Sequence, residues 1–348
     1  MNTLQYTSPV TLKQEPTFIA CEACDCIRGL AAEDGRVFPA QKAEGGIIAI
    51  LTCEAGETLT LNPVKTYGSE CAILKEENSL KVQIAGHDIG GYVWDTAYWK
   101  PYFGPVTDDA GNHFTRLDFD TLEHPHHRSV FIAVGDVNGV DAWNEPEDCG
   151  IVRTEEIKDI KAGSAYASFT AVNRWMDHSE KPLVKETTTY TMYNQTEDCR
   201  MLDIDVLFTA EYGEVNFGPT KEAGPLGVRM RDELRADRGT GVIINSRGEV
   251  AEKECWGHEA EWCDYAGDMP FGKMGVTVFD HPGNERFPTA WHVRNYGLFA
   301  ANNLFFKGDL TIKEGDSLRY RFRILFRRCE MSVEEIRTRF DRFAHSEQ

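Results

Sequence analysis

Apolar residues in this chain recur at every second position through most of its length, and only one segment, close to the end, carries a convincing helical period. Alternation at period two puts apolar side chains on one face of a strand and polar ones on the other, so sheets must supply the core. Strands are predicted over residues 17–27, 46–53, 71–74, 79–84, 129–134, 165–175, 184–193, 201–209, 275–279, 298–306 and 317–327. Turn signals separate them, among them Glu33-Asp34-Gly35, Asn138-Gly139, Pro282-Gly283-Asn284 and Glu314-Gly315-Asp316. At the helical segment, Ser332 and Glu335 spell a capping box, and Val333, Ile336, Phe340 and Phe343 recur on one helical face. Just before it, Arg319, Arg321 and Arg323 alternate on a strand and are expected to form a solvated face.

The chain of 348 residues shows no repeat at a fixed period and no low-complexity linker. A soft boundary near Asn62-Pro63 divides a small N-terminal β region, residues 1–63, from a body of residues 64–348. A body that long, nearly all strand and loop, is what a large two-sheet antiparallel β-sandwich needs. The predicted fold is therefore all-β, with one C-terminal helix.

A net charge of −19, from 56 acidic and 37 basic residues, argues against nucleic acid or an anionic membrane surface as partner. No apolar run is long enough to span a bilayer and no leader pattern is visible at the start, so a cytoplasmic protein is expected. Its ten cysteines are then expected to stay thiols. Cys21-x-x-Cys24-x-Cys26 lacks the fourth ligand and second close pair of a zinc site, and buried strand positions are the expectation for these thiols.

The chemistry concentrates in His124-Pro125-His126-His127-Arg128, followed by Asp136, Asn138, Asp141 and Trp143. Imidazole exchanges protons near neutral pH, and a guanidinium fork holds a carboxylate or a sugar oxygen. If the segment is extended, His124, His126 and Arg128 point to one side and His127 to the other. Such imidazoles serve as acid or base, or as ligands to a divalent metal; spacing names no third ligand, and the sequence names no cofactor. Asp136 to Asp141 superficially resembles a calcium loop, but Asp141 stands where glycine belongs and Val140 where an oxygen ligand belongs. Asn138-Gly139 is predicted to make a tight hairpin turn instead.

Aromatics precede the histidines: Tyr98, Trp99, Tyr102 and Phe103. Aromatic faces beside carboxylates, amides and imidazoles suit sugar rings, which present apolar C–H faces and polar rims. Farther on, Glu222, Arg229 and Arg231 surround a glycine-rich bend, then come Trp262, His281 and His292. No Gly-x-Ser-x-Gly elbow, Walker loop or dinucleotide fingerprint is present, which argues against the corresponding hydrolases, nucleotide-driven enzymes and dehydrogenases.

Lys100-Pro101-Tyr102-Phe103, the histidine block, residues 135–141 with Trp143, and the later strand ending in His281-Pro282 resemble a bacterial family labelled "methane oxygenase PmoA". The likeness runs from about residue 38 to the end. A membrane methane oxidase needs long apolar spans, and this chain has none. The resemblance implies a sandwich of the galactose-mutarotase type, a supersandwich, and carbohydrate chemistry of unspecified reaction.

The expected function is hydrolysis, elimination or epimerisation of a small glycoside or modified sugar. His124, His126 and His127 are the expected acid–base groups, with Asp136, Asp141 or Glu222 as carboxylate partner. Arg128, Asn138, Trp143, Tyr102, Arg229, Arg231, Trp262 and His281 are expected to bind the sugar. Two alternatives stand beside this one: a non-catalytic sugar-binding module stacking rings on Trp99, Trp143 and Trp262, and a metal-dependent hydrolase.

Overall fold

The computed structural model describes residues 2–22, 25–116, 123–196, 198–222 and 224–346. Its body is built from two eight-stranded antiparallel sheets. One, the site sheet, runs in the order Ala290–Arg294, Leu298–Asn302, Pro225–Arg229, Val130–Ile132, Tyr102–Phe103, His87–Val93, Ser79–Ile84 and Cys71–Lys75. The other, the back sheet, runs Ile151–Lys161, Tyr166–Met176, Pro182–Tyr193, Cys199–Thr209, Ser317–Arg327, Gly272–Asp280, Trp262–Met269 and Val242–Asn245. Tyr92, Phe103, Val130 and Val228 of the first pack on Phe169, Tyr190, Ile204 and Phe322 of the second. The rings of Phe103 and Tyr190 stack across this interface with centroids 5.5 Å apart. The chain is an all-β sandwich, as its period-two pattern predicts.

Pleating decides what the outer face of the site sheet presents. Ile132, Val228, Val293 and Phe299 turn inward to the core, so their neighbours Phe131, Arg229, His292, Arg294, Leu298 and Ala300 turn outward. There Tyr102, Phe131, Ala133, Trp143, Leu298 and Ala300 form a second, small apolar cluster, the floor on which the site is built. Gly227 makes that floor possible: a Cβ at this position would sit 2.5 Å from Phe131 Cζ, so any side chain would displace the ring.

The N-terminal sheet has six strands, in the order Leu4–Thr7, Thr58–Val64, Gly29–Ala32, Val37–Ala43, Gly46–Cys53 and Leu12–Ala20, around its own core of Leu12, Leu30, Ile47, Leu51 and Leu61. Buried Glu15 fastens it to the body, accepting from Arg323 Nη1 at 3.1 Å and Arg339 Nη1 at 2.8 Å. The arginine stripe is accordingly not one solvated face. Arg319 is half-exposed on Asp205, whereas Arg323 is buried between Asp203 and Glu15.

The C-terminal helix, Val333–Ala344, forms with its capping box in place: Ser332 accepts from the Glu335 amide and Glu335 reaches back to the Ser332 amide. Ile336, Phe340 and Phe343 pack on Phe279 and Trp262. Cys21 and Cys26 occupy a loop, half-buried and exposed, rather than buried strand positions, and Cys24 lies outside the described residues. No described helix is long and apolar enough to cross a membrane.

Candidate functional site

The histidine block is a turn, which corrects the extended geometry expected for it. His127 N donates to His124 O at 3.0 Å, and His124 and Ser129 adopt positive φ angles of 47° and 49°. Arg116 locks the turn by donating to the carbonyls of His124 and Glu123 at 3.3 and 3.1 Å, and Ser129 Oγ donates to Arg116 O at 2.7 Å. As a result His124, His126 and His127 all face one cavity, while Arg128 turns away from it. The rings pack tightly: His124 stacks on Tyr296 at 4.6 Å and on His127 at 5.0 Å, and His126 meets His127 edge-on at 4.3 Å.

The cavity holds about 240 Å³. The histidines, Trp143 and Asn144 form one wall, Lys221 and Glu222 another, and His292, Arg294, Tyr296 and Leu298 complete it. Sites for drug-sized ligands span ~300–1,000 Å³, so this one suits a single small ring.

Every imidazole here is held neutral. Burial drives His127 well below its ordinary value, helped by His126 and Arg229. Its Nε2 accepts from Trp143 Nε1 at 3.1 Å and its Nδ1 lies 3.4 Å from Arg229 Nη1, so a second proton would meet a donor on either side. Burial, then Lys100, pushes His126 down to about 3. Burial and Arg229 lower His124. His292 drops to about 4 through burial and Arg294, and its Nδ1 accepts from Trp256 Nε1 at 3.1 Å.

Cations stand behind this wall. Lys100 Nζ donates to Trp143 O at 2.7 Å and to Glu145 Oε1 at 3.1 Å. Arg128 grips Glu145 with both terminal nitrogens and lies 4.8 Å over the Tyr98 ring. Burial raises the Glu145 carboxyl, but Arg128 and Lys100 outweigh it and hold it below the usual range. Arg229 is fully buried, 5.0 Å over the Tyr296 ring, with no hydrogen bond at Nε or Nη2. Its nearest carboxylate oxygen, on Asp232, is 4.0 Å away.

His127 is a poor ligand for a divalent metal. Both His127 nitrogens face donors, the parallel His124 and His127 rings cannot aim lone pairs at one point, and no group of three potential ligands converges among the described residues.

The remaining predicted residues are distributed unevenly. Asp141 sits beneath the wall, accepting from the amides of Trp143 and Asn144 at 2.8 and 3.0 Å, and so positions both. Asp136 caps the Asn138-Gly139 turn at 2.7 Å, and Asn138 bonds Glu214 O and the Asn216 amide. That turn forms as predicted, with Val137 bridged to Val140. Tyr102 is buried in the floor beside Tyr98. Arg231 is held by Glu233, Trp262 is buried under the C-terminal helix, and His281 presses on Phe343; none of the three reaches the cavity. Sequence reasoning named His292 but passed over Tyr296, Arg294 and Asn144. The alternation His292, Arg294 before the Asn295-Tyr296-Gly297 bend was the signal that could have found Arg294 and Tyr296.

Fold and site together define a class: a two-sheet β-sandwich with an imidazole-rich cavity on the outer face of one sheet. The model of DUF6807, a family of unknown function, matches residues 79–341, and the chain belongs to that family. No curated protein matches it. Among solved structures, galactose 1-epimerase from Lactobacillus acidophilus NCFM aligns over 75% of this chain and 99% of its own, at 8% identity and a TM-score of 0.38. A galactose mutarotase-like protein from Lactobacillus casei aligns over 74% and 99%, at 8% identity and a TM-score of 0.33. The α-galactosidase from Lactobacillus brevis aligns over 80% of this chain and 43% of its own, at 8% identity and a TM-score of 0.35. Likenesses this distant carry no argument about substrate or reaction.

Proposed function

We propose that the protein is a carbohydrate-processing enzyme that moves a proton on a small sugar or glycoside, by epimerisation or elimination. One observation carries this reading: among the described residues a single carboxylate, Glu222, shares with four neutral imidazoles a cavity sized for one ring. Glycoside hydrolysis ordinarily uses two carboxyl groups ~5–10 Å apart. Among the described lining residues only Glu222 offers one, and nearby Glu145 is saturated by Arg128 and Lys100.

The division of labour follows from the geometry. Glu222, with Lys221 Nζ 3.2 Å from its Oε1, is the base that takes the proton. His126 has no hydrogen-bond partner among the described residues, so its ring nitrogens are open to a ligand. As a neutral imidazole it donates to the oxygen on which charge develops, and the cations behind it favour that charge. The binding-module alternative loses Trp262, which is 0% exposed under the C-terminal helix and does not reach the cavity.

The test is ¹H NMR in D₂O with a panel of aldoses, uronates and glycosides. The native protein should introduce deuterium or form a new product from at least one compound. His126→Ala and Glu222→Gln should each slow that reaction by ~10²-fold or more while keeping the melting curve. Release of reducing sugar without deuterium incorporation, or full activity in both variants, refutes the assignment.

A further inference from the structure

Basic side chains crowd the wall of the cavity. Lys100 and Arg128 share one carboxylate, Glu145. Lys221 is paired with Glu222 and Arg294 with Glu252, at 3.2 Å each. Among the described residues Arg229 has no carboxylate within hydrogen-bonding distance, and Asp232, at 4.0 Å, is 44% exposed and screened by water. Among the described residues, Arg229 therefore lacks a hydrogen-bonded carboxylate in a wall that also holds Lys100, Arg128, Lys221 and Arg294, in a chain whose net charge is −19. A buried guanidinium without a partner is costly, and a negative ligand a few ångströms away offsets that cost. Only the wall of His127 and Tyr296 separates Arg229 from the cavity.

We propose that the sugar taken by this cavity carries a carboxylate, a uronic or aldonic acid, whose anionic end meets Lys221 and Arg294 while Arg229 and Lys100 supply the field behind it. Lys221 and Arg294 both line the cavity, and the planar Arg294 fork matches a carboxylate. A carboxylate fits better than a phosphate because a hexuronate is no bulkier than its parent hexose, and the cavity is small. The proposal rests on the sugar-processing reading and names its substrate class, but it is read from binding and not from turnover.

Calorimetric titration of the full chain with D-glucuronate, D-galacturonate, D-gluconate, the parent hexoses and glucose 6-phosphate tests it. At least one sugar acid should bind tenfold or more tightly than its neutral parent, with that preference shrinking several-fold in 0.5 M salt. Lys221→Gln, at an exposed position, and Arg294→Gln should each lower the ratio of acid to neutral-sugar affinity several-fold. Equal binding of acids and neutral hexoses, or an intact preference in both variants, overturns the proposal and leaves the sugar reading standing. Preference for the phosphate overturns the carboxylate assignment. Binding of none of these compounds overturns both readings.

Discussion

Arg229 carries a full charge at a position without a hydrogen-bonding carboxylate, and burial pushes its own pKa down to about 10. Replacing such a group by an apolar chain of similar length commonly stabilises a protein. Arg229→Met should therefore raise the unfolding free energy by about 1–2 kcal/mol while weakening sugar-acid binding; a variant that is less stable and binds as before contradicts this account. His292 makes a second prediction. Its native pKa is about 4, against ~6.5 for an unfolded imidazole, so between these values the unfolded chain binds the extra proton. Its contribution is complete above ~6.5 and is lost as the pH falls towards 4, by up to ~1.4 kcal/mol per pH unit. The stability difference between native protein and His292→Gln should therefore shrink from pH 7 to pH 5 in urea titrations, and a constant difference would exclude a neutral His292. The histidine block was legible because three imidazoles in five residues are hard to place in a core. Tyr296 and Arg294 were passed over: the alternation running into the bend hinted at them, but nothing local told of the distant His124 ring that Tyr296 meets.

Single elements divide in the same way. Strand Ser79–Ile84 matches its predicted bounds because its buried and outward residues alternate, whereas Gly46–Cys53 and Ser317–Arg327 do so because turn residues delimit largely buried runs. His87–Val93 was missed: Gly90 and Gly91 break its pattern, and each is there because a neighbour, the Phe103 ring and the Leu80 carbonyl, lies closer than a Cβ allows. The prediction over 298–306 overran Asn302, whose side chain accepts from the amides of Leu304 and Phe305 and turns the apolar tail out of the sheet. Glu15 joins three elements that no local pattern connects: strand Leu12–Ala20, strand Ser317–Arg327 and the C-terminal helix. Glu15→Gln should leave buried Arg339 without its carboxylate and Arg323 with Asp203 alone, and cost about 3–5 kcal/mol in chemical denaturation. A loss near that of an exposed ion pair, under about 1 kcal/mol, would show that the N-terminal sheet is not fastened there.

At the scale of the whole molecule, the inner faces of two sheets make the core and leave one outer face free to hold chemistry. Composition and alternation announced the sandwich. They could not announce which outer face bears the cavity, because that depends on a turn at residues 124–129 and on the register that sets Ala300 opposite His292. The central claim is that this face holds neutral imidazoles open to a sugar. Long-range ¹H–¹⁵N NMR of histidine-labelled protein tests it most directly. At pH 6, His126, His127 and His292 should show neutral-imidazole nitrogen shifts, and adding D-glucuronate should move the His126 signals while exposed His87 and His178 stay fixed. Imidazolium shifts at His126, or signals that ignore every sugar acid and hexose offered, would contradict it.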